Sequence, residues 1–471
     1  MDVTSRSRLD ESSRGRDVLL EMEHRRGHLR RNLRAALRTA IQEGRLAAGT
    51  RLPSSRRLAA DLRVSRGVVT DAYDELAAEC YLDTAPRQAP VVADVARAEP
   101  PMPEPTRPRW THDFIATTPD VDLFPRRAWL RACERALRSM PNEALDYGDH
   151  RGRIELRAAL SEYLARVRGV RVEPGQMVIT QGFTQALDLL CRVLAARGST
   201  AMAFETPSLA DEWITVRASG LRTEPVPVDA DGLRTDRLDE LTAAAIVVTP
   251  AHQFPTGAVM APARRGALVA WAARRGHFIV EDDYDAEFRY DRNAVGALQG
   301  LDPRRVIHVG TASKTLAPGI RLGWMSLPHE LVDEVRSAKA AADSGSPALD
   351  QLALADLLTR GAYDRQVARA RQVYRRRRDR LVAALTQSLD APRIVGSEAG
   401  LHVLLRLPNG SEDVALAAAA AERGIGVRAL SAMSLTGSAE RGLLLGYGRL
   451  PEERIGAAVA AIASVLGAGA G

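Results

Sequence analysis

Gly310-Thr311-Ala312-Ser313-Lys314-Thr315-Leu316-Ala317-Pro318-Gly319-Ile320-Arg321-Leu322-Gly323-Trp324 holds one of only two lysines in the chain, the other being Lys339. The chain nevertheless has 65 basic residues, so arginine meets most of its need for positive charge. A lysine kept against that background marks a place where chemistry needs a primary amine, because a guanidinium cannot form a Schiff base with a carbonyl. Lys314 also follows the apolar run Val306–Gly310, which reads as a strand opening into a loop.

Similar strands lie upstream. Met177–Thr180, Ala201–Glu205, Ala245–Thr249 and Phe278–Glu281 are apolar runs separated by helical patterns. This alternation predicts an α/β sheet, mainly parallel, over about residues 140–340. From about 345 to 467 the chain is helix-rich, with Leu401–Leu407 and Gly442–Tyr447 as strands of a smaller α+β part. Pro100, Pro101, Pro103, Pro105 and Pro108 make residues 96–109 a semi-rigid linker and the clearest domain boundary. Residues 1–24 are polar and unpatterned and read as a disordered tail, leaving 25–95 as a separate small domain.

In that small domain, apolar residues at 29, 33, 37, 40 and 41 have helical spacing. Ser54 and Ser55 after Pro53, and then Ser65, are helix-capping residues that open two further short helices. Two short helices joined by a tight turn make a helix-turn-helix, and Tyr81–Val92 reads as a small β-wing. Between residues 25 and 70 twelve arginines face two acids, Glu43 and Asp61, a net of +10. The chain carries +6 in all, so the remainder is at −4. A basic block on a mildly acidic protein is the electrostatic footprint of a nucleic-acid reader. Cys80, Cys133 and Cys191 are too scattered for a disulfide framework or a metal site, which fits a cytoplasmic protein. The charged N-terminus has no apolar signal core, and the apolar stretch Ile455–Leu466 is too short to span a bilayer, so neither membrane nor metal is expected.

The run Gly44-Arg45-Leu46, Gly49-Thr50-Arg51-Leu52-Pro53-Ser54-Ser55-Arg56, Val64-Ser65-Arg66, Ala72-Tyr73 and Ala78-Glu79-Cys80-Tyr81-Leu82 resembles the GntR-type winged helix. The resemblance implies that Arg56 and Arg66, each at a helix start, contact double-stranded DNA. An arginine there can aim its fork at guanine or phosphate. Ser54, Ser55 and Ser65 either contact phosphate or serve as helix caps, two roles that do not exclude each other. The sequence departs from the family where Cys80 replaces a usual glycine. The wing tip, Ala85-Pro86-Arg87-Gln88-Ala89-Pro90, lacks a Gly-rich turn, which leaves Arg87 as its candidate DNA contact.

Residues 110–467 resemble fold-type I aminotransferases, so the expected architecture is multidomain: a winged helix-turn-helix, then an aminotransferase-like α/β domain with a smaller α+β part. The implied cofactor is pyridoxal 5′-phosphate. Lys314 would carry its aldehyde as a Schiff base, and Thr311, Ser313 and Arg321 would hold its phosphate, since two hydroxyls and a bidentate cation suit a dianion. Thr180-Gln181-Gly182-Phe183-Thr184 would add the amides of Phe183 and Thr184 at a helix N-terminus. Within Ile279-Val280-Glu281-Asp282-Asp283-Tyr284, Asp282 would pair with the pyridine nitrogen, with Asp283 as competitor, and Tyr284 would bond the ring hydroxyl. In Thr249-Pro250-Ala251-His252-Gln253-Phe254-Pro255-Thr256-Gly257, His252 or Gln253 would approach the same hydroxyl. Tyr147-Gly148-Asp149-His150-Arg151-Gly152 resembles the loop that reaches a partner subunit's site, which implies a homodimer.

Two features depart from that family. Leu209 stands where an aromatic usually stacks on the ring, with Asp211 two residues on. Leu444 stands where an arginine usually grips a substrate carboxylate, with Arg441 and Arg449 as possible replacements. The whole architecture resembles the MocR/GabR branch of GntR regulators. The expectation is a dimeric regulator, not an enzyme in the first instance, that binds promoter DNA and senses pyridoxal phosphate or its adduct with an amino compound. Leu444 favours pyridoxal phosphate itself as effector, as in PdxR-like members controlling vitamin B6 synthesis. The alternatives are a working aminotransferase with an accessory DNA-binding domain and a regulator whose pocket is only structural.

Overall fold

The computed structural model describes residues 4–9, 18–23, 28–85, 88–94, 109–116, 118–290, 295–396, 398–408, 410–437 and 440–468. The chain divides into two compact units, Met1–Arg107 and Pro108–Gly471. The division falls within the expected linker, which lies outside the described residues except for Arg109.

In the first unit, helix Leu29–Gln42 buries Leu33, Leu37, Ala40 and Ile41, the stripe set by its spacing. Helix Ser55–Leu62 begins where the Ser54 hydroxyl accepts a bond from the Arg57 amide, and helix Arg66–Ala78 where Ser65 accepts one from Val68. Between them Arg63 turns the chain with φ 54°. Leu58, Leu62, Val69 and Leu76 close over the first helix in one apolar core, each burial contributing roughly 1.5–3 kcal/mol. The wing is the antiparallel pair Leu82–Asp83 and Val91–Val92. The disordered tail expected over 1–24 is corrected: Thr4–Leu9 pairs antiparallel with Val18–Glu23. The run Val18-Leu19-Leu20 has the composition of a strand, a signal hidden by the polar residues around it.

The basic block is also partly answered within this unit. Arg34 pairs with Glu75 at 2.9 Å and Arg38 with Glu79 at 3.2 Å, acids that lie just past the stretch in which charge was counted.

The second unit is built on an eight-stranded sheet in the order Met177–Thr180, Gly323–Ser326, Val306–Thr311, Phe278–Asp283, Ala245–Val248, Ala201–Thr206, Arg222–Asp229, Gly232–Leu233. Gly323–Ser326 runs against both of its neighbours and Gly232–Leu233 against its one, while the other pairings are parallel. The sheet is covered on both faces, which is why its strands read as continuous apolar runs. The parallel strands end together, and loops leaving carboxyl ends of such strands form the natural binding crevice.

A second, antiparallel sheet has the order Arg393–Val395, His402–Arg406, Gly442–Gly446, Arg428–Ala429. Helices Ala362–Ser388 and Ile455–Ala468 pack with it in a separate apolar core. Of the run Arg375–Arg378 on the long helix, Arg377 is buried and pairs with Asp120 at 2.7 Å, so this member is structural. Among the described residues, no helix is long and apolar enough to cross a membrane.

Candidate functional site

Lys314, Asp282, Tyr284, Thr311, Ser313, Arg321, Phe183 and Thr184 line one cavity at the carboxyl ends of the large sheet. The strand Phe278–Asp283 shows how the sequence selects its acid. Side chains alternate along a strand, so Glu281 and Asp283 leave one face and Asp282 the other. Glu281 accepts bonds from the amides of Leu298 (2.7 Å) and Gln299 (3.1 Å). Asp283 is gripped by Arg168 at 2.7 and 3.0 Å and lies 2.9 Å from His308. Burial alone would raise the Asp283 carboxyl, but Arg168 and His308 overcome it and hold the group well below the usual carboxylate range.

Asp282 alone of the three faces the cavity, and its buried Oδ1 has no hydrogen-bond partner among the described residues. Burial raises its carboxyl well above the ordinary range; Asp283, Asp285 and Glu205 push the same way against the pull of Lys314. Burial lowers the Lys314 amine, with Asp282 and Asp285 opposing it.

The loop after Val306–Thr311 presents two hydroxyls side by side, with Thr311 Oγ1 donating to Ser313 Oγ at 2.9 Å. Arg321 completes this edge with φ 54°, a conformation costly for a residue with a Cβ and common at functional sites. Its guanidinium has no hydrogen-bond or ion-pair partner among the described residues and lies against Gly182. A Cβ on Gly182 would stand 3.2 Å from Arg321 Nη2, and φ there is +108°, so only glycine brings the arginine to this point. Helix Phe183–Ala196 starts immediately after, and the amides of its first turn have no partner within the helix. Arginine, two hydroxyls and a helix N-terminus converge as an anion grip.

Tyr284 reaches the cavity with its hydroxyl donating to the His252 carbonyl at 3.2 Å and 3.1 Å from His252 Nδ1. His252 itself does not line the cavity: it is buried behind Tyr284, with Nδ1 2.9 Å from Asp285 Oδ2. Gln253 does not line it either, because its amide is spent on Pro207, Phe254 and Thr256. Of the three residues expected near the ring hydroxyl, Tyr284 lines the cavity, whereas His252 contacts Tyr284 from behind and Gln253 is bonded to its own loop.

Sequence reasoning missed Glu205, although it ends an apolar strand just as Asp282 does. Its Oε2 accepts from the Thr249 amide and hydroxyl at 3.0 and 2.7 Å, while the buried Oε1 has no partner among the described residues. Burial pushes its carboxyl up to about 7, against those bonds from Thr249. Leu209 and Asp211 line the cavity as well.

A primary amine, an orphaned acid and an anion grip around one apolar-walled cavity form the donor set that pyridoxal 5′-phosphate requires. The amine would suit its aldehyde, the acid its ring nitrogen and the grip its phosphate.

On the first unit, Arg56 and Arg66 are exposed, and Arg66 Nε donates to Ser55 Oγ at 3.4 Å, which brings the two helix starts together. Ser54 and Ser65 are helix caps in this geometry. Arg87 lies outside the described residues.

Residues 29–92 match the gntR family of bacterial regulatory proteins, and residues 119–450 match aminotransferase class I and II. The chain is 33% identical to the probable rhizopine catabolism regulatory protein MocR of Rhizobium meliloti, over 89% of this chain and 90% of that protein. It is 31% identical to the pyridoxine biosynthesis transcriptional regulator PdxR of Corynebacterium glutamicum, over 92% of this chain and 95% of that one. The crystal structure of an archaeal alanine:glyoxylate aminotransferase superposes with a TM-score of 0.70 at 28% identity, covering 76% of this chain and 91% of the other. A gntR-type reader fused to an aminotransferase fold, matched over about nine-tenths of the chain by such regulators, places the chain in the MocR/GabR subfamily of GntR transcriptional regulators.

Proposed function

We propose that the protein binds promoter DNA as a homodimer and that its second unit senses pyridoxal phosphate, alone or joined to an amino compound. The observation that carries this reading is the intact donor set: Lys314, the orphaned Asp282 and the Arg321–Gly182 grip meet in one cavity. A purely structural pocket has no need of an unpartnered buried acid, which costs stability. When bound, the cofactor supplies an electrophilic carbon that captures amines. The chain's own residues supply the rest. Burial leaves the Lys314 amine easier to deprotonate and hence nucleophilic. Asp282 Oδ1 would accept a hydrogen bond from a protonated ring nitrogen and keep it protonated, and Arg321 with the first turn of Phe183–Ala196 would hold the anionic end. Tyr284, braced by His252, would hold its hydroxyl toward the ring.

Exposed Leu130 and Leu137, two turns apart on helix Arg126–Ser139, put large apolar side chains on one solvent-facing side of that helix, which supports self-association. The relative PdxR, a regulator of pyridoxine biosynthesis, supports vitamin B6 metabolism as the process controlled. A ligand changes promoter affinity only through unequal affinity for two states of the protein. The test is promoter-fragment binding and footprinting by apo and cofactor-loaded protein. A changed affinity or footprint is expected; identical behaviour of the two forms rejects sensing.

The second reading, a competent aminotransferase, is favoured by the same complete donor set and opposed by Leu209 and Leu444. Turnover over a panel of amino donors and oxo-acid acceptors separates the two.

A further inference from the structure

The second lysine of the chain does not line the cavity, yet its contacts lead there. Lys339 lies in helix Val332–Asp343 and is wholly buried. Its ammonium donates to Asp343 Oδ2 at 2.7 Å and to Ser346 Oγ at 3.1 Å. Arginine meets nearly every other need for positive charge in this chain, and an ammonium is the more compact of the two cations.

From Asp343 the bonds run to the anion grip. Asp343 Oδ2 also accepts from Gln185 Nε2 at 2.7 Å, and Gln185 Oε1 accepts from the Gln181 amide at 2.8 Å. A carboxylate can only accept, so Asp343 takes the nitrogen of the Gln185 amide and turns its oxygen toward Gln181. Burial would raise the Asp343 carboxyl, but Lys339, Gln185 and the Gly345 amide hold it below its ordinary range, so it stays charged. Gln185 stands in the first turn of helix Phe183–Ala196, and Gln181 and Gly182 form the turn ahead of it, where Arg321 lies. On the other side, the Ser346 carbonyl accepts from Gln351 Nε2 at 2.9 Å, and Gln351 Oε1 accepts from the Arg153 amide at 2.7 Å. The anchor is thus fastened at both ends.

We propose that Lys339 is a positioning residue for the cofactor's phosphate. Acting through Asp343 and Gln185, it sets the Gln181–Gly182 turn and with it the free amides that open helix Phe183–Ala196. This rests on that turn gripping the phosphate as proposed above, and it extends the grip to a buried pair outside the cavity.

The test uses the full chain stripped of cofactor, with pyridoxal phosphate and pyridoxal as ligands in equilibrium dialysis. The two differ only in the phosphate, so a change in the ratio of their affinities between wild type and variant reads the grip alone. Gln185→Met cuts the path but leaves the Lys339–Asp343 pair intact. It should lower affinity for pyridoxal phosphate about tenfold, the scale of one hydrogen bond at a charged group, and leave pyridoxal unchanged. Lys339→Met combined with Asp343→Asn removes both charges together and leaves no unpaired buried ion, and it should lower the same ratio. All three substitutions together should lose no more than the larger of these two losses, because they act along one path. An unchanged ratio in either variant, equal weakening of both ligands, or losses that add overturns the assignment. A wild type that binds both ligands equally looks different: it rejects the phosphate grip itself, and this inference with it.

Discussion

Asp282 and Asp283 share a peptide bond and face opposite sides of the large sheet, one orphaned in the cavity and the other clamped by Arg168 and His308. The two acids therefore have separable roles. Asp283→Ala strands the buried Arg168 charge and should cost about 3–5 kcal/mol, the usual penalty for halving a buried pair. Asp282→Asn removes an unpartnered buried carboxyl and should leave stability unchanged or higher, while weakening retention of pyridoxal phosphate. Urea unfolding and equilibrium dialysis of both variants check this. Equal stability losses would contradict the division.

Glu205 gives a pH signature. Its carboxyl is raised from the ordinary value to about 7 in the fold. A raised carboxyl favours the protonated folded form, so the unfolded chain releases its proton first as pH rises. Stability from this group is present below about 4.5 and is lost as pH climbs toward 7, by an amount of order 3 kcal/mol. Glu205→Gln should therefore flatten the decline in unfolding free energy between about pH 5 and 7. Other buried groups titrate too: Glu287 is also pushed up to about 7 by burial, and His402 is pushed down to about 3. The quantity to compare is thus the difference between variant and wild-type curves. Parallel curves across that window would show that Glu205 is ionised throughout.

The division of labour between the two units was legible in the sequence because each rests on local patterns: helical spacing at 33, 37 and 41, serine caps at 54 and 65, and apolar strands ahead of Asp282 and Lys314. Asp282 could be favoured over Asp283 only by resemblance until the alternation of Phe278–Asp283 and the position of Arg168 fixed which acid faces which side. That contact joins residues 115 positions apart, and no spacing rule reaches so far. The place of His252 behind Tyr284, beside Asp285, was likewise beyond local pattern, since those contacts join residues more than thirty positions apart.

Cys80 occupies the left-handed region at φ 61°, directly after the helix that ends at Ala78, and is exposed. A side chain there costs roughly 1 kcal/mol relative to glycine, which enters that region freely. Cys80→Gly should raise the stability of the first unit by about that amount. Cys80→Val, β-branched at the same φ, should lower it. Thermal unfolding followed by a probe confined to this unit decides the matter, and a glycine variant that melts earlier would sink the strain argument.

Arg56 and Arg66 stand exposed at the starts of two helices linked by the Arg66–Ser55 bond, while Arg34 and Arg38 are tied to acids of their own unit. Arg56 and Arg66 are therefore better placed to meet DNA than the ion-paired Arg34 and Arg38. Arg66→Ala should weaken promoter binding by about 1–3 kcal/mol and relax sequence preference if its fork reads a base. If it meets only phosphate, specific and non-specific DNA should weaken alike, and the salt slope should fall by about one. Arg34→Ala should alter neither affinity nor slope beyond the small stability cost of an exposed ion pair. Affinities measured over a salt series on specific and scrambled fragments distinguish these cases. A larger loss of binding for Arg34→Ala than for Arg66→Ala would place the DNA on the other side of the first unit.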